Sequence, residues 1–210
     1  MSDMLKKAYE LADYGHKDQK RKYTGEPYIN HCEEAVSIAK HFTDDEILLS
    51  ALYCHDLLED TTIKEETILN VLGQEVLDIV IELTQVSKPE DGNRAVRKKI
   101  DIDFLSTVSK RAQTAKCFDL ISNCESITTH DRKFALVYLK ETDEILNVLT
   151  KVDKHILDMI KGYIDMCWNK ILVSNNILHT PNENNITNSR IFWLNCYGPL
   201  NDSVMPTIIP

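Results

Sequence analysis

The chain has 210 residues, 43% of them hydrophobic and 27% charged, and a formal net charge of −9. Such a composition excludes a disordered chain and leaves enough apolar material for a sizeable core. The acidic balance argues against nucleic-acid or anionic-membrane partners, and no apolar run approaches the roughly 18 residues that cross a bilayer. The six cysteines show no Cys-x-x-Cys spacing. They are expected as reduced, buried thiols, which excludes a zinc ribbon. The N-terminal residues do not read as a signal peptide, so the expected location is cytoplasmic.

Met4, Leu5, Ala8, Leu11 and Ala12 fall at helical spacing and predict a helix over 2–14, ended by Gly15. A cation-rich turn follows, with Lys17, Lys20, Arg21 and Lys22 ahead of Gly25 and Pro27. Asn30 reads as the N-cap of a helix over 31–41, which puts His31 in its first turn. Thr43 is expected to cap a single helix over 45–62 whose apolar residues are Ile47, Leu48, Ala51, Leu52, Leu57 and Leu58. Further helices are predicted over 64–73, stopped by Gly73, and over 75–86. After a loop at 87–93 come helices over 94–105, 108–127, 130–149 and 152–173. Strand signals are nearly absent, so the predicted class is all-α, a helical domain over 1–174. From 175 onward the chain turns Asn- and Pro-rich, and 175–210 is expected to be an irregular C-terminal tail docked by Phe192 and Trp193.

The chemistry concentrates in 45–62. On one helix His55 would stack over Glu59, and Asp56 over Asp60. One imidazole and three carboxylates in an apolar segment repel each other and lose solvation unless a cation or hydrogen bonds compensate. A divalent metal satisfies that demand most economically. His130-Asp131 repeats the dipeptide, but at the start of a polar helix, where an acidic residue serves free amides and the dipole. His31 reads either as a ligand or as a helix-terminal histidine with a satisfied hydrogen bond. Asp119, between Phe118 and Leu120, reads either as a ligand or as a buried carboxylate paired to Lys116 or an Arg.

Three stretches in order carry a family resemblance. They are Arg21-Lys22-Tyr23-Thr24-Gly25-Glu26-Pro27-Tyr28-Ile29-Asn30-His31, then His55-Asp56-Leu57-Leu58-Glu59-Asp60-Thr61, then Lys116-Cys117-Phe118-Asp119-Leu120-Ile121-Ser122-Asn123. Together with Glu82-Leu83-Thr84 and Ser87-Lys88 they resemble the HD-domain metal-dependent phosphohydrolases, in particular the (p)ppGpp hydrolase domain of RelA/SpoT proteins and the small alarmone hydrolases. The resemblance spans about residues 5 to 150. Cys32 stands where the family usually has Pro, and Leu120, Ser122 and Glu125 replace an Arg, a His and a second Arg that border the family's nucleotide pocket.

The resemblance implies an HD-type helical bundle and a Mn²⁺ ion held by His31, His55, Asp56 and Asp119. The implied reaction is hydrolysis of the 3′-pyrophosphate of ppGpp to GDP and pyrophosphate. Glu59 and Asp60 would orient the water or shuttle its proton, and Arg21, Lys22, Asn123 and Ser126 would contact the nucleotide. Lys88, Arg94, Arg97, Lys98 and Lys110 would help hold the pyrophosphate. The length leaves no room for a synthetase domain, so the expected activity is degradative. The partner expected is a small-molecule nucleotide. The replaced pocket residues keep open another phosphoester, such as NADPH or a deoxynucleotide, and a non-catalytic nucleotide sensor.

Overall fold

A computed structural model of the chain describes residues 1–174; the expected tail and its Phe192–Trp193 anchor lie outside the described residues. The described residues are all-α, and their one β-type pairing is an isolated bridge between Lys20 and Pro27. The helices are α1 (Asp3–Gly15), α2 (Ile29–Ala39), α3 (Glu46–Cys54), α4 (Leu57–Asp60), α5 (Glu65–Leu72), α6 (Gln74–Leu83), α7 (Arg94–Leu105), α8 (Lys110–His130), α9 (Arg132–Val148) and α10 (Lys154–Ser174). A single 3₁₀ turn, Pro89–Asp91, sits in the expected 87–93 loop.

Two helices organise the rest. α3 packs against α1, α2, α6 and α8, while α8 packs against α2, α3, α6, α9 and α10. Helices surrounded in this way cannot keep a polar face, and α8 buries Ala112, Ala115, Cys117, Phe118, Ile121 and Cys124 around its whole circumference. Each buried aliphatic or aromatic side chain contributes roughly 1.5–3 kcal/mol, so the all-round burial of α8 makes it the spine of the core. Asp119 and Ser122 are buried in the same helix with no solvent to satisfy them. The fold therefore commits a carboxylate and a hydroxyl to partners on neighbouring helices.

Three local expectations need correction. α2 starts at Ile29 rather than after Asn30, with Tyr28 at its N-cap and no side chain closing it, so Asn30 is a helical residue. Asp45, not Thr43, caps α3: its Oδ1 accepts from the Ile47 and Leu48 amides at 3.1 and 3.2 Å, while Thr43 Oγ1 accepts from the Asp45 amide. A two-oxygen carboxylate next to the first turn outcompetes a hydroxyl two residues back, and it also complements the helix dipole. The predicted helix over 45–62 is broken: α3 ends at Cys54, His55 and Asp56 form the joint, and α4 is one turn long. The joint matters because it turns both side chains inward together. Gly15 fixes where α4 sits, since a Cβ there would collide with Leu57 Cδ2.

His130-Asp131 behaves as a helix boundary. His130 ends α8, and Asp131 caps α9 by accepting from the Phe134 amide at 3.0 Å.

Candidate metal centre and substrate pocket

α2 brings His31, the α3–α4 joint brings His55 and Asp56, and α8 brings Asp119. Their facing atoms converge. His31 Nε2 lies 3.3 Å from His55 Nε2 and 3.3 Å from Asp119 Oδ1. His55 Nε2 lies 2.9 Å from Asp56 Oδ2 and 3.5 Å from Asp119 Oδ1. His31 Nε2 to Asp56 Oδ2 is 3.8 Å. The two imidazoles are 1% and 4% exposed and Asp119 is 3% exposed, so water cannot screen these groups from one another.

The protons on the far side of each ring decide what the cluster can hold. His55 Nδ1 lies 2.8 Å from the Leu52 carbonyl, which only accepts, so Nδ1 carries the proton and Nε2 presents a lone pair. His31 Nδ1 is 2.8 Å from Ser122 Oγ. With each ring neutral and protonated on Nδ1, the site is two lone pairs and two carboxylate oxygens aimed at one small volume. A single proton can bridge only one pair of them, whereas a divalent cation satisfies all four. The donor set of two imidazoles and two carboxylates suits a borderline or hard divalent ion. His31, His55 and Asp56 alone already meet the spacing of a metal site.

The titration pattern follows. Burial opposes charge on His55, yet Asp56 and Asp119 raise it well above the ordinary histidine range. Burial likewise works against Asp56 and Asp119, but His55 and His31 hold the first well below the usual carboxylate range, and Lys116 with the two imidazoles does so for the second.

Around the four sit Tyr28, to which the sequence reading gave no role, and Lys116 and Asn123. Tyr28 donates its hydroxyl to Asp56 Oδ2 at 2.6 Å, and burial with that carboxylate pushes the phenol far up, so it stays a donor. Lys116 Nζ is 2.7 Å from Asp119 Oδ2, while Asn123 Nδ2 donates to Asp119 Oδ1 at 2.5 Å. The pairing of Asp119 with Lys116 and its convergence on the histidines therefore coexist, one oxygen for each. Tyr28 and Lys116 both lie inside the quoted motifs; what sequence lacks is which oxygen each one touches.

A cavity of about 210 Å³ opens from the cluster. Its walls include Tyr28, His55, Asp56, Glu59, Lys116, Asp119, Leu120 and Asn123, and α7 and α9 close it with Arg94, Lys98, Tyr138 and Glu141. Glu59 is held by Gln85, whose backbone and side-chain nitrogens donate to it at 2.7 and 2.6 Å. Desolvation by the walls raises its carboxyl above the usual range, against the lowering effect of Gln85. Asp60 is not in the wall and instead accepts from Gln19 Nε2 at 3.0 Å. Burial and the neighbouring cations Lys116 and Arg94 lower Lys98.

Of the expected nucleotide contacts, Asn123 is in this pocket. Lys22 is outside its walls; its ammonium is 5.9 Å from the Phe134 ring, over which Arg94 of the pocket wall also sits at 5.2 Å. Arg21 and Ser126 line a different recess, with Glu34, Glu125 and His130, that shares no residue with the first. Arg21 points inward, 3.6 Å from Glu34 Oε2 and 3.4 Å from Ser122 Oγ. Of the expected pyrophosphate cations, Arg94 and Lys98 line the pocket; Lys88, Arg97 and Lys110 do not, and Lys110 pairs with Asp153 at the surface. Among the three replacements expected to border the nucleotide pocket, only Leu120 is a wall of it: Ser122 is fully buried, and Glu125 accepts from Tyr163.

An HD domain family model matches residues 8–116. A guanosine-3′,5′-bis(diphosphate) 3′-pyrophosphohydrolase of Aquifex aeolicus is 30% identical over 145 residues, covering 69% of this chain and 20% of that protein. The Drosophila melanogaster guanosine-3′,5′-bis(diphosphate) 3′-pyrophosphohydrolase MESH1 is 30% identical over 122 residues, 56% of this chain and 66% of the relative. A probable GTP diphosphokinase RSH3 of Arabidopsis thaliana is 29% identical over 144 residues, and the chain spans only 20% of its length. Among solved structures, a metazoan ortholog of SpoT described as hydrolyzing ppGpp superposes with a TM-score of 0.68 at 21% identity, covering 85% of this chain and 98% of that one. With the model matched over half its length and across the His-Asp joint, the chain belongs to the HD domain family.

Proposed function

We propose that this chain is a metal-dependent hydrolase of guanosine tetra- or pentaphosphate, releasing the 3′-pyrophosphate. The observation that carries the reading is the convergence of His31 Nε2, His55 Nε2, Asp56 and Asp119 beside a pocket walled by Arg94, Lys98 and Lys116. The names of the Aquifex and Drosophila relatives supply the substrate. The ion assigned is Mn²⁺, which accepts imidazole and carboxylate together. When bound, it supplies Lewis acidity to a water and to a phosphoryl oxygen.

The chain's own residues do the rest. Glu59, oriented by Gln85, takes the proton from the attacking water; its raised carboxyl is a better base than a free glutamate. The water adds to the 3′ phosphorus, the bond to the ribose oxygen breaks, that oxygen takes a proton from solvent to become the 3′ hydroxyl of GDP, and pyrophosphate carries away the water's oxygen. Lys116 carries a firm positive charge beside Asp119, and with Arg94 and Lys98 it offsets the charge of the departing group. Asn123 holds Asp119 in register and faces the nucleotide. The same reading assigns a cytoplasmic enzyme, consistent with five free, buried cysteines among the described residues.

The test is metal analysis of the purified protein with product chromatography on ppGpp, GTP and NADPH, wild type beside Glu59→Ala. Mn²⁺-dependent GDP and pyrophosphate from ppGpp, absent in Glu59→Ala, is the expected result. Turnover of NADPH and not ppGpp by the wild type would reassign the substrate.

A further inference from the structure

We infer that Ser122 and Glu34 are positioning residues that fix the tautomer of His31, keeping its proton on Nδ1 so that Nε2 of the neutral ring is bare toward the cluster. The inference rests on the metal reading above but concerns residues outside the four ligands, and it follows from counting protons at one buried oxygen. Ser122 is fully buried on α8, one turn from Asp119. Three groups reach its Oγ: Glu34 Oε2 at 2.5 Å, His31 Nδ1 at 2.8 Å and Arg21 NH1 at 3.4 Å.

A hydroxyl has one hydrogen and two lone pairs, a guanidinium only donates, and a carboxylate only accepts. The serine hydrogen must therefore go to Glu34. The two lone pairs are left for Arg21 and His31, so His31 Nδ1 has to be the donor. Every valence of the oxygen is used and no alternative arrangement satisfies all three neighbours. Arg21 closes the relay by balancing Glu34 at 3.6 Å.

The consequence lies at the other end of the ring. A neutral imidazole exchanges its proton between nitrogens, and the wrong tautomer would aim an N–H at the centre of the cluster. His55 solves the same problem with a backbone carbonyl, whereas His31 depends on side chains from α8 and from its own helix. Groups that orient a metal-ligating histidine in this way typically govern affinity by about 10–100-fold.

The experiment uses the full chain with ¹⁵N-labelled histidine, free of metal and at alkaline pH, and reads the tautomers from long-range ¹⁵N–¹H spectra. The wild type should show His31 protonated on Nδ1. Ser122→Ala and Glu34→Gln should shift it toward the Nε2-protonated form, Glu34→Gln because an amide can donate to the serine and reverse the relay. In parallel, Mn²⁺ titrated by the loss of its free electron-spin resonance signal should bind about tenfold or more weakly to both variants. Should Ser122→Ala not fold, Glu34→Gln decides alone, because its side chain is 26% exposed and carries little of the core. A wild-type His31 protonated on Nε2, or variants with an unchanged tautomer and Mn²⁺ affinity within about twofold, would overturn the relay. Failure of the wild type to bind Mn²⁺ would instead remove the metal reading; the spectra still decide the relay.

Discussion

Replacing Asp119 with alanine separates a ligand from a catalytic base when set beside Glu59→Ala. Asp119 Oδ1 faces both histidines within 3.5 Å, so on the proposed reading its loss removes one of four ligand atoms from a buried site. Glu59 lies in the pocket wall and is bonded to Gln85 rather than to the cluster. An ion that binds only the folded state at a hundred times its dissociation constant stabilises by about 2.7 kcal/mol. For a chain of this size that corresponds to a rise in Tm of roughly 5–10 °C. Thermal unfolding with and without Mn²⁺ should show that rise for wild type and Glu59→Ala and none for Asp119→Ala. The metal-free Asp119→Ala protein should itself lose about 2–3 kcal/mol by stranding the Lys116 ammonium, less than for a sealed pair because that side chain is 27% exposed. An unaltered Mn²⁺ shift in Asp119→Ala would refute the four-ligand site, and an abolished shift in Glu59→Ala would move Glu59 into it.

Gln85→Ala should move the acid limb of the pH–rate profile upward, because the Gln85 side chain lowers the Glu59 pKa and the ionised base is lost as pH falls through that value. An unmoved limb would show that Glu59 is not the group titrating. Gly15→Ala should cost about 1–3 kcal/mol through the clash with Leu57, whereas Gly162→Ala, in the interior of α10 with open space around it, should stabilise by about 0.5–1 kcal/mol. Chemical denaturation of the two variants measures both.

The helices whose ends carry chemistry of their own were legible. α7 begins at the expected residue because Asn93 accepts from the Val96 amide, and Gly73 stops α5 with a φ of +87° that other residues resist. The His55–Asp56 joint was not, because the apolar pattern runs unbroken from Leu52 to Leu57 and Leu58, while the break shows only in three dimensions, where Leu57 packs closely on Gly15. The cost of burying acceptors without compensation pointed to His55, Asp56 and Asp119, but the same reasoning drew in Glu59 and Asp60, which the structure gives to Gln85 and Gln19, and left His31 to the family resemblance. Arg21 and Ser126 illustrate the opposite limit: they neighbour site residues along the chain, but a helix turn carries Ser126 to another face, and the Glu34 carboxylate draws Arg21 inward. Ser122 looked like a lost histidine. Its role depends on Glu34, 88 positions away, and nothing local announces that pair.

The same proton count predicts how the site behaves when stripped of metal. Four acceptors cannot face one another empty, and the raised His55 pKa means that a proton enters when no cation does. For the metal-free protein the sign is that of a histidine raised on folding. Its stabilising contribution is full below the ordinary histidine value of about 6.5 and is lost as pH climbs through the raised one. Stability of the stripped protein should therefore decline on the alkaline side, and Mn²⁺ should restore it there, since the cation replaces the proton and is not itself titrated away. Binding must then expel a proton at neutral pH. Isothermal titration of Mn²⁺ in two buffers of different ionisation enthalpy reads that release directly. An identical heat in both buffers would mean that the four groups do not share a proton, and the cluster would have to be held neutral by some other hydrogen-bond arrangement than the one that makes it a metal site.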